Sequence, residues 1–247
     1  MIIFNKIEDI RKKRGSVAVA LIDPDKEHDD KLERMLDLIN HSDFDIIFVG
    51  GSSIADNLFN SRLQFIKKKS DLPLIIFPGS CDQISKFADA ILYLSLISGR
   101  NPQFLIEEHV KAAPIIHSLS IEAIPTAYIL LDGGNRSSVQ IASDTIPIPL
   151  EKHEEVLAHS LAGQFLGKII LFLECGSGAI KHASCELLQY IKPHLKIPII
   201  VGGGIKTAES AAILSSSGAD YVVIGSKIEE LPHKDELYSI TKAIHKG

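Results

Sequence analysis

The sequence predicts an α/β protein that folds as a single TIM-type (β/α)8 barrel over residues 1–247. The length of 247 residues matches the roughly 250 residues that such a barrel needs. Short β-branched or apolar runs alternate with amphipathic stretches, as in βα units around a parallel sheet. Eight such runs occur without a break in composition, which favours a closed barrel over an open sheet.

The predicted strands follow one another at a regular spacing along the chain. They cover residues 17–22, 45–49, 74–77, 90–94, 123–131, 168–173, 197–201 and 221–224.

Helices are predicted between several of these strands. Residues 29–39 and 57–68 carry apolar side chains at helical spacing, and residues 207–216 are alanine-rich behind Thr207, which can cap a helix. Only residues 81–88 are available between the third and fourth strands. We therefore expect an irregular third βα unit.

A long loop is predicted after the fifth strand. Residues 133–149 are rich in Ser, Thr, Gly and Pro and are too polar for the core. A loop of this length at the catalytic end of a barrel is a candidate lid.

Charge and composition narrow the class of partner. The chain has 26 basic and 31 acidic side chains, a net charge of -5, so we expect no nucleic-acid partner. The basic run from Arg11 to Arg14 is interpreted as a solvated helix face. Three cysteines without CxxC spacing indicate reduced thiols in the cytoplasm. No apolar stretch reaches the ~20 residues that span a bilayer, so we expect at most peripheral membrane contact.

Glycine-rich segments follow the last three strands. They are residues 174–179, 202–206 and 225–226. In a barrel these positions share one end, and glycine lets backbone amides converge on an anion. Together they predict a phosphate cup, although each glycine alone is equally compatible with a tight turn.

Polar residues also follow the first two strands. Asp23 and Asp25 follow the first, and Ser52 follows the second. A carboxylate and a hydroxyl at one mouth are compatible with Mg²⁺, which takes few protein oxygens and completes its shell with water and phosphate. The alternative is that the aspartates serve a turn and a helix cap.

Glu174 ends an otherwise apolar strand. Beside a bound phosphate ester, its carboxylate could accept a hydroxyl proton as a general base. The alternative is a glutamate in a salt bridge at the rim. The spacing of His153 and His159 does not suit a metal site, and no Ser-His-Asp arrangement is evident.

Taken together, these motifs resemble those of the geranylgeranylglyceryl phosphate synthases and their bacterial heptaprenylglyceryl phosphate relatives. The segments that carry the resemblance are residues 21–26, 49–52, 93–102, 172–179 and 201–206. They run through nearly the whole chain in order. The segments around residues 21–26 and 93–102 are specific, whereas 201–206 is shared with many phosphate-binding barrels.

The resemblance implies Mg²⁺-dependent transfer of a polyprenyl chain from its diphosphate to the C3 hydroxyl of sn-glycerol 1-phosphate. Asp23 and Ser52 would hold Mg²⁺, and Glu174 would orient or deprotonate the hydroxyl. The residues that would bind glycerol phosphate are Phe172, Leu173, Glu174, Cys175, Gly176, Ser177, Gly178, Gly203, Gly204, Gly225 and Ser226.

The resemblance also bears on specificity and assembly. Phe172 stands where the family often has a tyrosine whose hydroxyl reaches the phosphate. Residues 93–97 and 123–127 are expected to line a groove for the prenyl tail, and a homo-oligomer is expected.

Three alternative functions are also compatible with a phosphate cup of this kind. They are an isomerase or lyase of a sugar-phosphate or amino-acid pathway, a barrel that binds FMN, and a sensor that binds a phosphorylated ligand without turnover. An isomerase or lyase would need a second acid-base group opposite Glu174.

Overall fold

The eight strands form a closed parallel barrel. This is a computed structural model that describes residues 1–24, 29–51 and 57–245. Each strand is hydrogen-bonded to the next in chain order, and β8 pairs with β1. The strands are β1 Val17–Ile22, β2 Ile46–Val49, β3 Leu74–Ile76, β4 Ala90–Leu96, β5 Glu122–Leu130, β6 Ile170–Glu174, β7 Ile199–Gly202 and β8 Tyr221–Ile224. The predicted (β/α)8 barrel is confirmed.

Helices surround the barrel. In the described ranges they are α1 Ile2–Arg14, α2 Asp29–Asn40, α3 Phe59–Lys69, α4 Glu108–Leu119, α5 Ser138–Ser143, α6 His153–Phe165, α7 Cys185–Ile191, α8 Ala208–Ser216, α9 Ser226–Glu229 and α10 Lys234–Ile244. The predicted helices are found as α2, α3 and α8, with small shifts at their ends. Thr207 caps α8, since its hydroxyl accepts the N–H of Ser210 at 3.2 Å. Across the ranges that the structure covers, none of the helices has the length and apolar character to traverse a bilayer.

Both faces of each strand are buried, which explains why the strands appear as continuous apolar runs. In β1, Val17 and Val19 pack inside the barrel, whereas Ala18 and Ala20 pack against the outer helices. The alternation continues with Leu21 on the inside. Asp23, two residues further on, therefore lies at the mouth of the barrel.

Helix α1 covers the end of the barrel where the strands begin. Its residues Phe4 and Ile7 pack against the inner core. The carboxylate of Glu122, the first residue of β5, accepts N–H groups from the first turn of α1, including that of Ile3 at 2.8 Å. In the middle of this helix, Glu8 accepts a hydrogen bond of 2.6 Å from the hydroxyl of Tyr221, the first residue of β8. These contacts fix the helix on the barrel.

The interpretation of the basic run as a solvated face is only half right. Lys12 and Lys13 are exposed, but the two arginines form ion pairs beneath the barrel. Arg11 lies 3.1 Å from Asp220, and Arg14 lies 2.7 Å from the buried carboxylate of Asp45. The difference arises because both aspartates directly precede strands, so they need a cation at this end.

The third βα unit is irregular, as predicted. Residues 77–89, all of which are described, form turns and no helix between β3 and β4. Gln83 in this segment is 1% exposed and holds two loops. Its Nε2 donates to the carbonyl of Gly51 at 2.7 Å, and its Oε1 accepts the N–H of Gly79 at 3.2 Å.

The segment 133–149 departs from the predicted polar loop, because it contains helix α5. Ser137 caps this helix by accepting the N–H of Gln140 at 3.2 Å. Ser143, Thr145 and Ile148 are buried, so the expectation that this segment is too polar for the core is wrong. Small polar side chains can be buried when helix and turn bonds satisfy them, and Ser143 donates to the carbonyl of Val139 at 2.7 Å. Whether the segment moves as a lid stays a prediction.

Candidate active site

A cavity opens at the carboxyl ends of the strands. It has about 1340 Å³ of empty space, part of which is open solvent. Its lining includes residues that the sequence places after β1, β6, β7 and β8, namely Asp23, Glu174, Ser177, Gly203, Gly204, Gly225 and Ser226. Apolar residues from β4, the short π-helix Gln103–Glu107 and α5 also line it, namely Leu94, Leu96, Phe104, Val139 and Ala142.

The glycine-rich loops after β6, β7 and β8 meet in this cavity. Gly203 has φ +85, and a Cβ added there would lie 2.8 Å from the nitrogen of Gly176. The N–H of Gly178 donates to Oγ of Ser226 at 3.2 Å, which joins the loop after β6 to the one after β8. The loops therefore share one place, as the sequence indicates. Their capacity to bind phosphate stays a prediction.

Glu174 lies at the centre of these loops and is only 5% exposed. Its Oε1 accepts the N–H of Gly176 at 2.6 Å. Added Cβ atoms would lie 2.5 Å from its Oε2 at Gly202 and 2.8 Å from its Oε1 at Gly203, so glycine at both positions makes room for the carboxyl group. Burial raises the pKa of Glu174 to about 7, against the opposing effect of the Gly176 bond. A carboxyl with this pKa can gain or lose a proton near neutral pH.

Asp23 lies on the same cavity, at the end of β1. Its carboxylate lies against the backbone of Gly51, where an added Cβ would be 2.6 Å from Oδ1. Gln83 also holds Gly51, because its Nε2 donates to the Gly51 carbonyl at 2.7 Å. Gly51, in the loop after β2, is therefore held next to the carboxylate of Asp23.

The donor set at Asp23 fits Mg²⁺ of the kind that keeps most of its shell for water and substrate oxygens. In the described ranges no three His, Cys, Asp or Glu side chains are grouped to hold a metal. A single carboxylate in the lining of an open cavity is compatible with Mg²⁺ that keeps most of its shell for other oxygens. Ser52, the second predicted ligand, lies outside the described residues, as do Asp25 and Ser53.

Three of the predicted substrate-binding residues have side chains away from the cavity. Phe172 is fully buried inside the barrel, where its ring stacks on Phe77 with centroids 5.0 Å apart. Leu173 and Cys175 pack in the outer layer against the helices. Burial also raises the pKa of the Cys175 thiol, so it stays protonated. Substrate contact by these three residues stays a prediction, and for Leu173 and Cys175 it would have to involve the backbone.

The two segments predicted to line a groove for a prenyl tail differ in their position relative to the cavity, and binding of a prenyl chain stays a prediction. Leu94 and Leu96 line the cavity. Residues 123–127 do not, because they form the first half of β5, whose carboxyl end is Leu130. In place of residues 123–127, Phe104 and α5 contribute apolar surface.

Two residues of the site were not identified from the sequence. Gln83 holds the loops after β2 and β3, and its only sequence signal is a polar residue in a segment too short for a helix. Tyr128 lines the cavity from β5. Its one signal is a hydroxyl within a strand that is otherwise mostly apolar, which is also typical of a core tyrosine.

The chain is similar to known proteins over most of its length. The model of the PcrB family matches residues 8–244. Geranylgeranylglyceryl phosphate synthase from Zunongwangia profunda is 44% identical over 228 residues, which cover 91% of this chain and 94% of the relative. The enzyme of the same name from Chitinophaga pinensis is 40% identical over 229 residues, 92% of this chain and 90% of the relative.

A solved structure is similar over almost the whole chain. It is (S)-3-O-geranylgeranylglyceryl phosphate synthase from Thermoplasma acidophilum, in complex with its substrate sn-glycerol-1-phosphate. Its TM-score is 0.91 at 34% identity, with 98% of each chain covered. From the family match over 237 residues that include every strand of the barrel, together with these relatives, the chain belongs to the PcrB family.

Proposed function

We propose that this protein is a prenyltransferase that joins a polyprenyl diphosphate to the C3 hydroxyl of sn-glycerol 1-phosphate. The products are a prenylglyceryl phosphate ether and diphosphate. The observation that carries the proposal is the buried carboxyl of Glu174 among three glycine-rich loops at one mouth. The names of the relatives in the PcrB family support this reaction over an isomerase, a lyase or an FMN-binding barrel.

Different residues of the cavity would bind the phosphate and the glycerol hydroxyl of the substrate. Gly203, Gly204 and Gly225 line the cavity, where their backbone N–H groups would bind the phosphate, and Ser226 would offer its hydroxyl beside them. Glu174, on the neighbouring strand, then lies within reach of the glycerol hydroxyl. Because the substrate phosphate would be held at a fixed distance from Glu174, the glycerol hydroxyl would meet this base in a constant orientation.

The bonds, the proton and the electron pair of the transfer are all accounted for when Glu174 accepts the hydroxyl proton. The C3 oxygen of glycerol phosphate forms a bond to C1 of the prenyl chain while the bond from C1 to the diphosphate oxygen breaks. The hydroxyl proton passes to the carboxylate of Glu174, and diphosphate leaves with the electron pair. Because burial places the pKa of Glu174 at about 7, a large share of the protein carries an ionised base at neutral pH.

Asp23 would hold Mg²⁺, together with Ser52. When bound, this ion supplies positive charge that offsets the charge developing on the departing diphosphate. Asp23 and Glu174 line the same cavity, as this assignment requires.

The apolar part of the cavity would take the prenyl chain near its reacting end. Leu94, Leu96 and Phe104 offer apolar surface, and Val139 of α5 adds to it. Burying each methylene of the tail stabilises the complex by about 0.8 kcal/mol. Apolar contact would therefore contribute to the binding energy of the second substrate. Assembly as a homo-oligomer and a cytoplasmic location, with at most peripheral membrane contact, belong to the same proposal.

One experiment tests the proposed reaction directly. The protein is incubated with labelled sn-glycerol 1-phosphate and prenyl diphosphates of graded length, with Mg²⁺ or with a chelator. We expect label in the lipid extract only when all three components are present, and little label when sn-glycerol 3-phosphate replaces its enantiomer. Saturable binding of glycerol phosphate without extractable label at any chain length would contradict the proposal and favour a sensor.

A further inference from the structure

Three aromatic rings pack together, two in the floor of the cavity and one beneath it. The ring of Phe77 lies 5.0 Å from that of Phe172 and 5.9 Å from that of Tyr128, and the last two meet edge to face at 5.4 Å. Phe77 and Tyr128 also line the cavity, whereas Phe172 lies beneath it. The hydroxyl of Tyr128 is the one polar side-chain atom in this aromatic floor.

The hydroxyl of Tyr128 is buried and has no hydrogen-bond partner among the described residues. Tyr128 as a whole is only 4% exposed. Other buried or half-buried tyrosines of the barrel are paired, since Tyr93 donates to the carbonyl of His109 at 2.7 Å and Tyr221 donates to Glu8 at 2.6 Å. A buried hydroxyl without a partner costs free energy, and an unpaired group at a cavity indicates that a ligand completes it.

The order of the strands indicates which part of a ligand would reach this hydroxyl. Tyr128 of β5 pairs in register with Phe172 of β6, and Glu174 lies two residues further along β6 on the same face. The glycine cup lies on β7 and β8, on the far side of Glu174. A ligand whose phosphate occupies the cup and whose chain passes Glu174 therefore ends near Tyr128.

We propose that the hydroxyl of Tyr128 forms a hydrogen bond with a glycerol hydroxyl of the bound substrate and so selects for the polyol end. The inference rests on the proposed function. It adds β5 to β1, β6, β7 and β8 as a strand that contributes to the substrate site. Tyr128 stays protonated in this role, because burial and the charge of Glu174 raise the pKa of its hydroxyl. It holds the glycerol while Glu174 accepts the proton.

The test compares Tyr128→Phe with the wild type in calorimetric titrations without prenyl diphosphate. One titrant is sn-glycerol 1-phosphate and the other is inorganic phosphate, which fills the cup but has no hydroxyl arm. We expect the Kd for glycerol phosphate to rise roughly tenfold, since a net hydrogen bond contributes about that factor. The Kd for inorganic phosphate is expected to stay unchanged.

Thermal unfolding separates recognition from a structural role. Tyr128→Phe removes a buried unpaired polar atom and keeps the ring, so its unfolding temperature without ligand is expected to equal or exceed that of the wild type. Tyr221→Phe is the matched control, because it removes the paired hydroxyl of a buried tyrosine at the end of the barrel where the strands begin, away from the cavity. This control is expected to lower the unfolding temperature and to leave both Kd values unchanged.

Two results would overturn the inference. One is an unchanged Kd for glycerol phosphate in Tyr128→Phe. The other is a parallel loss of affinity for both ligands together with a lower unfolding temperature, which would indicate general damage. Failure of the proposed function is distinguishable, because it would appear as absent label transfer by the wild type, whatever the binding data show.

Discussion

The N–H of Gly176 donates a hydrogen bond of 2.6 Å to Oε1 of Glu174, two residues before it in the chain. This bond favours the ionised carboxylate, whereas burial favours the neutral form. Burial has the larger effect and raises the pKa to about 7. The loop after β6 thus holds the proposed base while leaving it able to carry a proton.

The raised pKa of Glu174 predicts a stability difference that depends on pH. An acid whose pKa is about 7 in the folded protein and 4.5 when unfolded stabilises the fold below pH 4.5, and this contribution is lost as pH rises to 7. Glu174→Gln has no such loss. Relative to the wild type, its free energy of unfolding should rise by roughly 3 kcal/mol between pH 4 and pH 8, as measured by urea unfolding.

Glu154→Gln is the matched control for this measurement, because Glu154 is exposed on α6. Its stability difference from the wild type should vary little with pH. A Glu174→Gln difference that is flat across this range would contradict the raised pKa. The same variant should lose transfer activity at every pH, since an amide cannot accept the hydroxyl proton.

Gly203 is expected to tolerate no side chain. In Gly203→Ala, the new Cβ would lie 2.8 Å from both Glu174 and Gly176, at a φ of +85 that disfavours alanine. We expect a loss of stability above about 2 kcal/mol and a roughly hundredfold loss of activity, because the base is displaced. Unfolding and steady-state kinetics measure the two effects.

Gly167→Ala separates the clash from the backbone strain. Gly167 has a similar φ of +80, but an added Cβ there meets nothing within 4 Å. This variant should lose about 1–2 kcal/mol of stability and keep its activity. Equal losses in the two variants would show that the contacts of Gly203 do not matter.

Asp23→Asn tests the assignment of Mg²⁺. It replaces a carboxylate ligand by an amide of the same shape, so transfer should fall at least about a hundredfold. Stability should change by roughly 0.5 kcal/mol or less. Activity is measured across a Mg²⁺ titration, with Asp82→Asn as the control for the loss of one exposed charge in the segment after β3. Wild-type activity and Mg²⁺ dependence in Asp23→Asn would remove Asp23 from the metal site.

Gln83→Leu tests whether the site depends on the hydrogen bonds by which Gln83 holds the loops after β2 and β3. The substitution keeps the volume but leaves the carbonyl of Gly51 and the N–H of Gly79 without their partner. We expect a loss of about 3 kcal/mol of stability, together with weaker binding of the diphosphate substrate. Gln164→Leu, which removes one bond from the N–H of Lys196, should cost about 1 kcal/mol and leave binding intact. Equal binding in both variants would refute a positioning role for Gln83.

Much of the fold could be predicted from sequence, because the strands of a parallel barrel are buried on both faces. This produces eight apolar runs whose order sets their order in the sheet. Asp23 and Gly203 were placed at one mouth for the same reason, since each directly follows a strand. Errors at strand ends are local: β7 starts at Ile199 and not at 197, next to Pro198, which has no N–H to donate.

The remaining features depend on distant contacts. Gln83 is identified by its bonds to Gly51, 32 residues away, which no local pattern shows. Tyr128 looks like any core residue of a strand until β6 places Phe172 and Glu174 beside it. Helix α5 was missed because the polar side chains that made 133–149 look like a loop are satisfied by bonds within the segment, such as Ser143 to Val139.

The two ends of the barrel have different roles: α1 stabilises one end, and the proposed catalytic residues lie at the other. Its contacts with Glu122, Asp220 and Tyr221 lie where the strands begin, at the opposite end from Asp23 and Glu174. Stabilising substitutions introduced at that end can be combined with damaging ones at the mouth, because effects at distant sites add. An engineered background with a tighter α1 would therefore keep severely impaired variants folded, so that their catalytic defects could be measured separately from their instability.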